Sequence, residues 1–141
     1  MSLGQNVNLF AANNLSHDRK SNCSNFSRHI FQSAQTLGPG LLESVYEEVI
    51  CYELRKAGLS YVRQQGIKVR YDEVEMDVGF RCDVIVEGKV IVEIKSVEAI
   101  TPVFPKILLT YLRLSSLKLG LLVNFNVAYI KDGISRIVNG L

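Results

Sequence analysis

The stretch "DVIVEGKVIVEIKS", Asp83–Ser96, decides how this chain folds. Two short runs rich in β-branched residues flank Glu87, Gly88 and Lys89. Their length and branching favour strand over helix, and the Gly marks a turn between them. The hairpin so defined carries Asp83, Glu93 and Lys95 among its valines and isoleucines. An ionised carboxylate in an apolar sheet is costly unless something pairs with it. Two readings follow: the charges lie on a solvated strand face, or they converge on a metal and a substrate.

Side chains two apart along a strand point the same way, so Glu93 and Lys95 share a face and Ile94 takes the other. Asp83 joins them only if the turn holds an odd number of residues; a two-residue turn sends it to the opposite face. Gly88 supplies the positive φ that three-residue loops often need, so the expectation is the odd loop Glu87-Gly88-Lys89. Two carboxylates then lie close, with Lys95 beside them. Such a pair repels, and one member stays protonated unless a cation neutralises both. Oxygen-only donors suit Mg²⁺ or Mn²⁺ rather than Zn²⁺, because no His or Cys cluster selects zinc. A hard cation acidifies a bound water and stabilises charge on a phosphoryl oxygen, and Lys95 is placed to orient that water or meet the developing anion. These are the parts for phosphodiester hydrolysis.

Upstream, "IKVRYDE" (Ile67–Glu73) alternates apolar and polar residues and reads as a further strand. "LLESVYEEVICYELRKAG" reads as a helix, with Leu42, Val45, Tyr46, Val49, Ile50 and Leu54 forming its apolar stripe. Arg55 and Lys56 suit its last turn, and Gly58 is placed to end it. Glu43 falls at the edge of the stripe, where it either assists the metal or favours the helix dipole from the first turn. Glu47 and Glu48 are expected to point further toward solvent. "LGPG" (Leu37–Gly40) separates this helix from helical sequence beginning near Ser27. Residues 1–27 are rich in Asn and Ser and read as a tail or arm, leaving 28–141 as the folded domain. Leu9 and Phe10 of that arm are candidates for docking on the domain or on a second copy.

Downstream, a helix opens at Thr101-Pro102 or at Pro105 and carries an apolar stripe of Ile107, Leu108, Tyr111, Leu112 and Leu114. "GLLVNF" (Gly120–Phe125) reads as a central strand covered on both faces. "VAYIKDGISRIV" reads as a C-terminal β-hairpin turning at Asp132-Gly133. The order gives an α/β fold, a mixed β-sheet flanked by helices.

Composition is ordinary for a globular protein: 48% hydrophobic, 21% charged, net charge +2 over 141 residues. That balance neither demands nor excludes a nucleic-acid partner. No run approaches the roughly 20 apolar residues of a membrane helix, and the start lacks the basic-then-apolar order of a secretory signal. Three cysteines without a CxxC pair indicate neither a disulfide framework nor a zinc knuckle, so a cytoplasmic setting is the simplest reading. Arg81 shares the parity of Asp83 and is the best basic candidate, for phosphate or for pairing with Glu93 or Asp83 when no metal is bound. Tyr46 and Tyr111 sit on apolar stripes and read first as core; Tyr111 is kept with Arg81 as a candidate substrate contact. Cys82 reads as a small core residue.

"GLLESVY" (Gly40, Glu43, Tyr46) resembles the pattern that names the GxxExxY proteins, grouped with the PD-(D/E)xK nuclease superfamily. The resemblance extends through "YDEVEMDVGFRCDVIVEGKVIVEIKSVEAI", "LLTYLRLSSLKLGLLVNFN" and "KDGISRIVNG", about residues 30–140. It implies a restriction-endonuclease-like core (αβββαβ). It implies that Asp83, Glu93 and Lys95 stand at metal-binding and catalytic positions, with the Ile94 backbone carbonyl a further ligand and Glu43 the first-helix carboxylate. It implies Mg²⁺-dependent cleavage of nucleic acid, DNA more than RNA, by an enzyme whose kin often pair as homodimers. Departures accompany it. Phe104 and Ile107 stand where the second helix of such proteins usually carries His and Gln, and Ala34 replaces a usual His before "LGPG". The alternatives are a weakened nuclease or a catalytically degenerate module that binds nucleic acid or a protein partner.

Overall fold

The computed structural model describes residues 28–140, so the arm and its Leu9 and Phe10 lie outside the described residues. Helix α1 spans 28–35 and α2 Glu43–Lys56. Strands β1 (Tyr61–Tyr71), β2 (Val74–Val86) and β3 (Val90–Lys95) form a meander. Helix α3 (Val103–Ser115) crosses to β4 (Leu119–Asn124), which runs parallel to β3, and β5 (Ile134–Val138) closes the sheet antiparallel to β4. The spatial order equals the chain order, β1-β2-β3-β4-β5, so β3 is the middle strand. The predicted mixed sheet flanked by helices is therefore present, and β4 is interior, between β3 and β5.

Helices cover both faces. Val84, Val86, Val90, Val92 and Ile94 pack with Ile30, Phe31, Ala34, Tyr46, Ile50 and Leu54 of α1 and α2. Ile85, Ile91 and Leu122 pack with Leu108 and Leu112 of α3. A cross-connection returning over one sheet face and burying apolar stripes on both is the stable three-layer solution for such a pattern. Gly120 lets α3 lie close on β4, since a Cβ there meets Leu108 side-chain atoms at 2.9 Å. Among the described residues no helix is long and apolar enough to cross a membrane.

Three sequence expectations need correction. The C-terminal hairpin is not Val127–Ile130 against β5. Residues Ile130–Asp132 form a 3₁₀ turn, and β5 pairs with β4 instead. Gln35 of α1 explains this: its amide donates to the Val127 carbonyl at 2.8 Å and accepts from the Ile130 amide at 2.8 Å, so these backbone groups are satisfied by a side chain rather than a ladder. Second, β1 and β2 are longer than the sequence suggested. Their outer ends form a projecting ribbon on which Tyr71 is 77% exposed. Third, the buried face of α2 is rotated: Leu42 is 75% exposed and Val45 also meets solvent, while Glu47 and Cys51 are buried.

Candidate functional site

The β2–β3 turn has the odd loop, Glu87-Gly88-Lys89, with Val86 opposite Val90 and Val84 opposite Val92. That register brings Asp83 level with Glu93. The regular ladder stops at Val84, however, and side chains take over from carbonyls. The Asp83 amide donates to Glu93 Oε1 at 3.1 Å, and the Ile94 amide donates to Asp83 Oδ2 at 2.8 Å. Backbone N–H groups lie in the plane of a sheet, so Asp83 sits in an opened seam between the strands rather than standing upright on one face. Cys82 and Ile85, three apart, both pack toward α3, which strict alternation forbids and this irregularity permits.

Glu93 and Lys95 lie on the α3 side. The Lys95 ammonium sits 5.0 Å from the Phe104 ring centroid, a cation–π distance. The Tyr111 ring stacks on Phe80 at 4.0 Å, and its hydroxyl is pushed above the usual phenol range by partial burial and by the charge of Glu93. The two carboxyls feel each other. Burial first, then the charge of Asp83, raises Glu93 to about 8, and burial raises Asp83 too, with Glu47 adding to the effect. Lys95 opposes both shifts. Cys82, fully buried beside them, is pushed up to about 12 by burial, so its thiol is no nucleophile.

The remaining candidates divide. Glu43 is exposed at the rim, where its Oε1 accepts from the Ser96 amide at 3.2 Å, immediately after β3. Arg81 pairs with neither carboxylate; its guanidinium donates to the Gln64 carbonyl at 3.4 Å. Ala34 lies in the α1 core, Phe104 under Lys95, and Ile107 is 37% exposed. Tyr46 is core: it stacks on Phe125 at 4.4 Å, donates its hydroxyl to the Gly38 carbonyl and accepts from the Leu41 amide. The first motif thus acts structurally in part, because Gly38 and Gly40 hold positive φ in the loop that Tyr46 clamps.

Sequence reasoning missed Glu47, Gln64 and Asn124. Glu47 is only 6% exposed, the opposite of what was expected. Its Oε2 takes Arg63 Nη2 at 2.7 Å, and its Oε1 takes Gln64 Nε2 at 2.7 Å. Gln64 also donates to Asp83 Oδ1 at 3.4 Å. The one available signal was the i, i+4 spacing of Glu43 and Glu47, which places both on one helix flank. Asn124, 3% exposed, pins the loop after β3 by exchanging hydrogen bonds with Val97, at 3.1 Å from its amide and 2.9 Å to its carbonyl.

Among the described residues no three His, Cys, Asp or Glu side chains converge as a closed cation cage. Asp83 and Glu93 nonetheless fit a hard divalent ion. They are two oxygen donors brought together in a partly buried seam, where burial first and then the charge of Asp83 push Glu93 up, and Mg²⁺ commonly takes one or two carboxylates and completes its shell with waters and phosphate oxygens. No curated protein and no solved structure matches the chain. Residues 20–137 match the PD-(D/E)XK nuclease superfamily, and the five-stranded mixed sheet with its flanking helices is compatible with that fold; the chain belongs to the PD-(D/E)XK nuclease superfamily.

Proposed function

We propose that the protein is a Mg²⁺- or Mn²⁺-dependent nuclease of the GxxExxY branch, hydrolysing phosphodiester bonds of nucleic acid, DNA more than RNA. The observation that carries this reading is the reciprocal pairing of Asp83 and Glu93, in which the Glu93 carboxylate accepts from the Asp83 amide at 3.1 Å and the Asp83 carboxylate accepts from the Ile94 amide at 2.8 Å, so two acidic groups meet at one place. The ion would be held by Asp83, Glu93 and the Ile94 backbone carbonyl, with Glu43 supporting it through water from the rim. When bound, it supplies an acidified water and neutralises charge on the scissile phosphate. Lys95 leaves its place over Phe104 to orient the attacking water and meet the negative charge that builds on the phosphoryl oxygens. The leaving oxygen departs in line and takes a proton from solvent at the open rim. Arg81 and Tyr111 flank the seam as substrate contacts. Ile107 offers no amide to the site, so cleavage is weaker than with a carboxamide there. Two buried free thiols, Cys51 and Cys82, accord with a cytoplasmic setting, and the outer positions of β1 and β5, which have no further strand beside them among the described residues, with a homodimer.

Glu93→Ala is expected to abolish Mg²⁺-dependent cleavage while the circular dichroism spectrum stays native. Full cleavage by that variant removes Glu93 from the mechanism. The second reading, a binding module without catalysis, draws on the ammonium of Lys95 resting on an aromatic ring. Calorimetry separates the two: a domain that takes up neither Mg²⁺ nor Mn²⁺ at millimolar concentration is the module.

A further inference from the structure

The edge strand β1 carries a local irregularity that faces the site. Gln64 adopts φ +49°, the left-handed region that a Gln rarely occupies within a strand. The β1–β2 ladder pairs Arg63 with Val84 and Gln65 with Cys82 but skips Gln64 and Asp83. In a regular strand, consecutive side chains point to opposite faces. Here Arg63 and Gln64 both reach Glu47 on α2. Strain of this kind persists only where the surroundings over-determine it.

What holds it is a chain of directed bonds. Arg63 occupies Glu47 Oε2 through Nε at 3.2 Å and Nη2 at 2.7 Å. The Ile94 amide occupies Asp83 Oδ2 at 2.8 Å. Each carboxylate therefore has one oxygen anchored to another element. The Gln64 amide joins the two remaining oxygens, at 2.7 Å to Glu47 Oε1 and 3.4 Å to Asp83 Oδ1. Both neighbours are carboxylate oxygens, so the amino group of the carboxamide faces them. With both oxygens held, the plane of the Asp83 carboxylate is fixed while Oδ1 keeps a second lone pair for a ligand.

We propose that Gln64, held by Glu47 and Arg63, is a positioning residue that fixes the Asp83 carboxylate for a divalent cation. The inference rests on the metal-dependent reading above and adds to it three residues outside the motif. Outer groups of this sort commonly set metal affinity as strongly as they set activity. Gln64 does not touch the ion; it acts by restricting Asp83 before the ion arrives, which lowers the ordering cost of binding.

The test uses the full chain and Mn²⁺ alone, with Kd from calorimetry and unfolding recorded in parallel. Gln64→Leu is expected to raise the Mn²⁺ Kd by about 10- to 100-fold. Gln64→Gly removes the amide while adopting the positive φ without strain, so it keeps the fold and is expected to show the same loss. Glu47→Gln leaves Arg63 its second partner, Glu48, at 2.7 Å, so no cation is stranded. The double variant Glu47→Gln/Gln64→Leu is expected to bind no more weakly than the worse single variant, because both act along one path. Wild-type affinity in Gln64→Gly, or fully additive losses in the double variant, overturns the role of Gln64. Asp83→Asn keeps the failures apart. If it loses Mn²⁺ while Gln64→Gly retains it, only the positioning role falls; if the wild-type chain takes up no Mn²⁺, the metal-dependent reading falls and the role of Gln64 with it.

Discussion

Glu93 lies on the middle strand with 8% of its surface exposed, and its carboxyl is raised from 4.5 to about 8. In the unfolded chain the same group ionises near 4.5. Between those values the folded protein holds a proton that the unfolded chain has released. The contribution of Glu93 to stability in the absence of metal is therefore full below pH 4.5 and is lost as pH rises toward about 8. Asp83 is shifted in the same direction and adds to the fall. The slope for one proton is at most about 1.4 kcal/mol per pH unit. Denaturant unfolding between pH 5 and 8 in a chelator is expected to show it, and Glu93→Gln to flatten it. A flat wild-type profile would mean that the carboxyls ionise freely in the fold. Millimolar Mn²⁺ is expected to stabilise the protein more at pH 8 than at pH 5, since the ion takes the place of the proton.

Elements bring these residues together through two close contacts. Helix α2 seats its Glu47–Cys51 flank on the sheet because Arg63 and Gln64 satisfy Glu47, which lets a carboxylate stand where an apolar stripe was expected. Helix α3 sits close on β4 at Gly120, and that approach sets where Phe104 and Tyr111 stand relative to Lys95 and Glu93. Gly120→Ala would drive a methyl group into Leu108, whose atoms lie 2.9 Å from the Cβ position. Overpacking of this kind costs about 1–3 kcal/mol, read as a lower urea midpoint at unchanged slope. A midpoint equal to wild type would show that α3 shifts without cost.

At the scale of the whole molecule, the fold is closed by links between distant parts of the chain. Gln35 on α1 holds both Val127 and Ile130, more than 90 positions away, and so fixes the lead into β5. Losing both bonds in Gln35→Ala is expected to cost about 1–3 kcal/mol, because each partly buried hydrogen bond contributes about 0.5–1.5 kcal/mol. Equilibrium unfolding measures it, and hydrogen exchange at Ile130 should rise first. Unchanged protection there would show that the 3₁₀ turn stands without α1. Asn124 plays the corresponding part at the site end, tying the loop that carries Ser96 and Val97 to the end of β4.

The amino-acid sequence by itself determined that β2 and β3 form a hairpin and, through its Gly88 turn, that Asp83 comes level with Glu93, since these follow from alternation along short β-branched runs and from loop parity. It also determined the crossover through α3, because parallel neighbours require one. It did not determine which flank of α2 is buried. Hydropathy gives a carboxylate to solvent, whereas Arg63 and Gln64, arriving from another strand, make burial of Glu47 favourable. Nor did it determine that Asp83 leaves the ladder for the seam, or that Val127–Ile130 forgoes pairing. Both depend on side chains that supply hydrogen bonds from far along the chain, and only the folded arrangement puts them within reach.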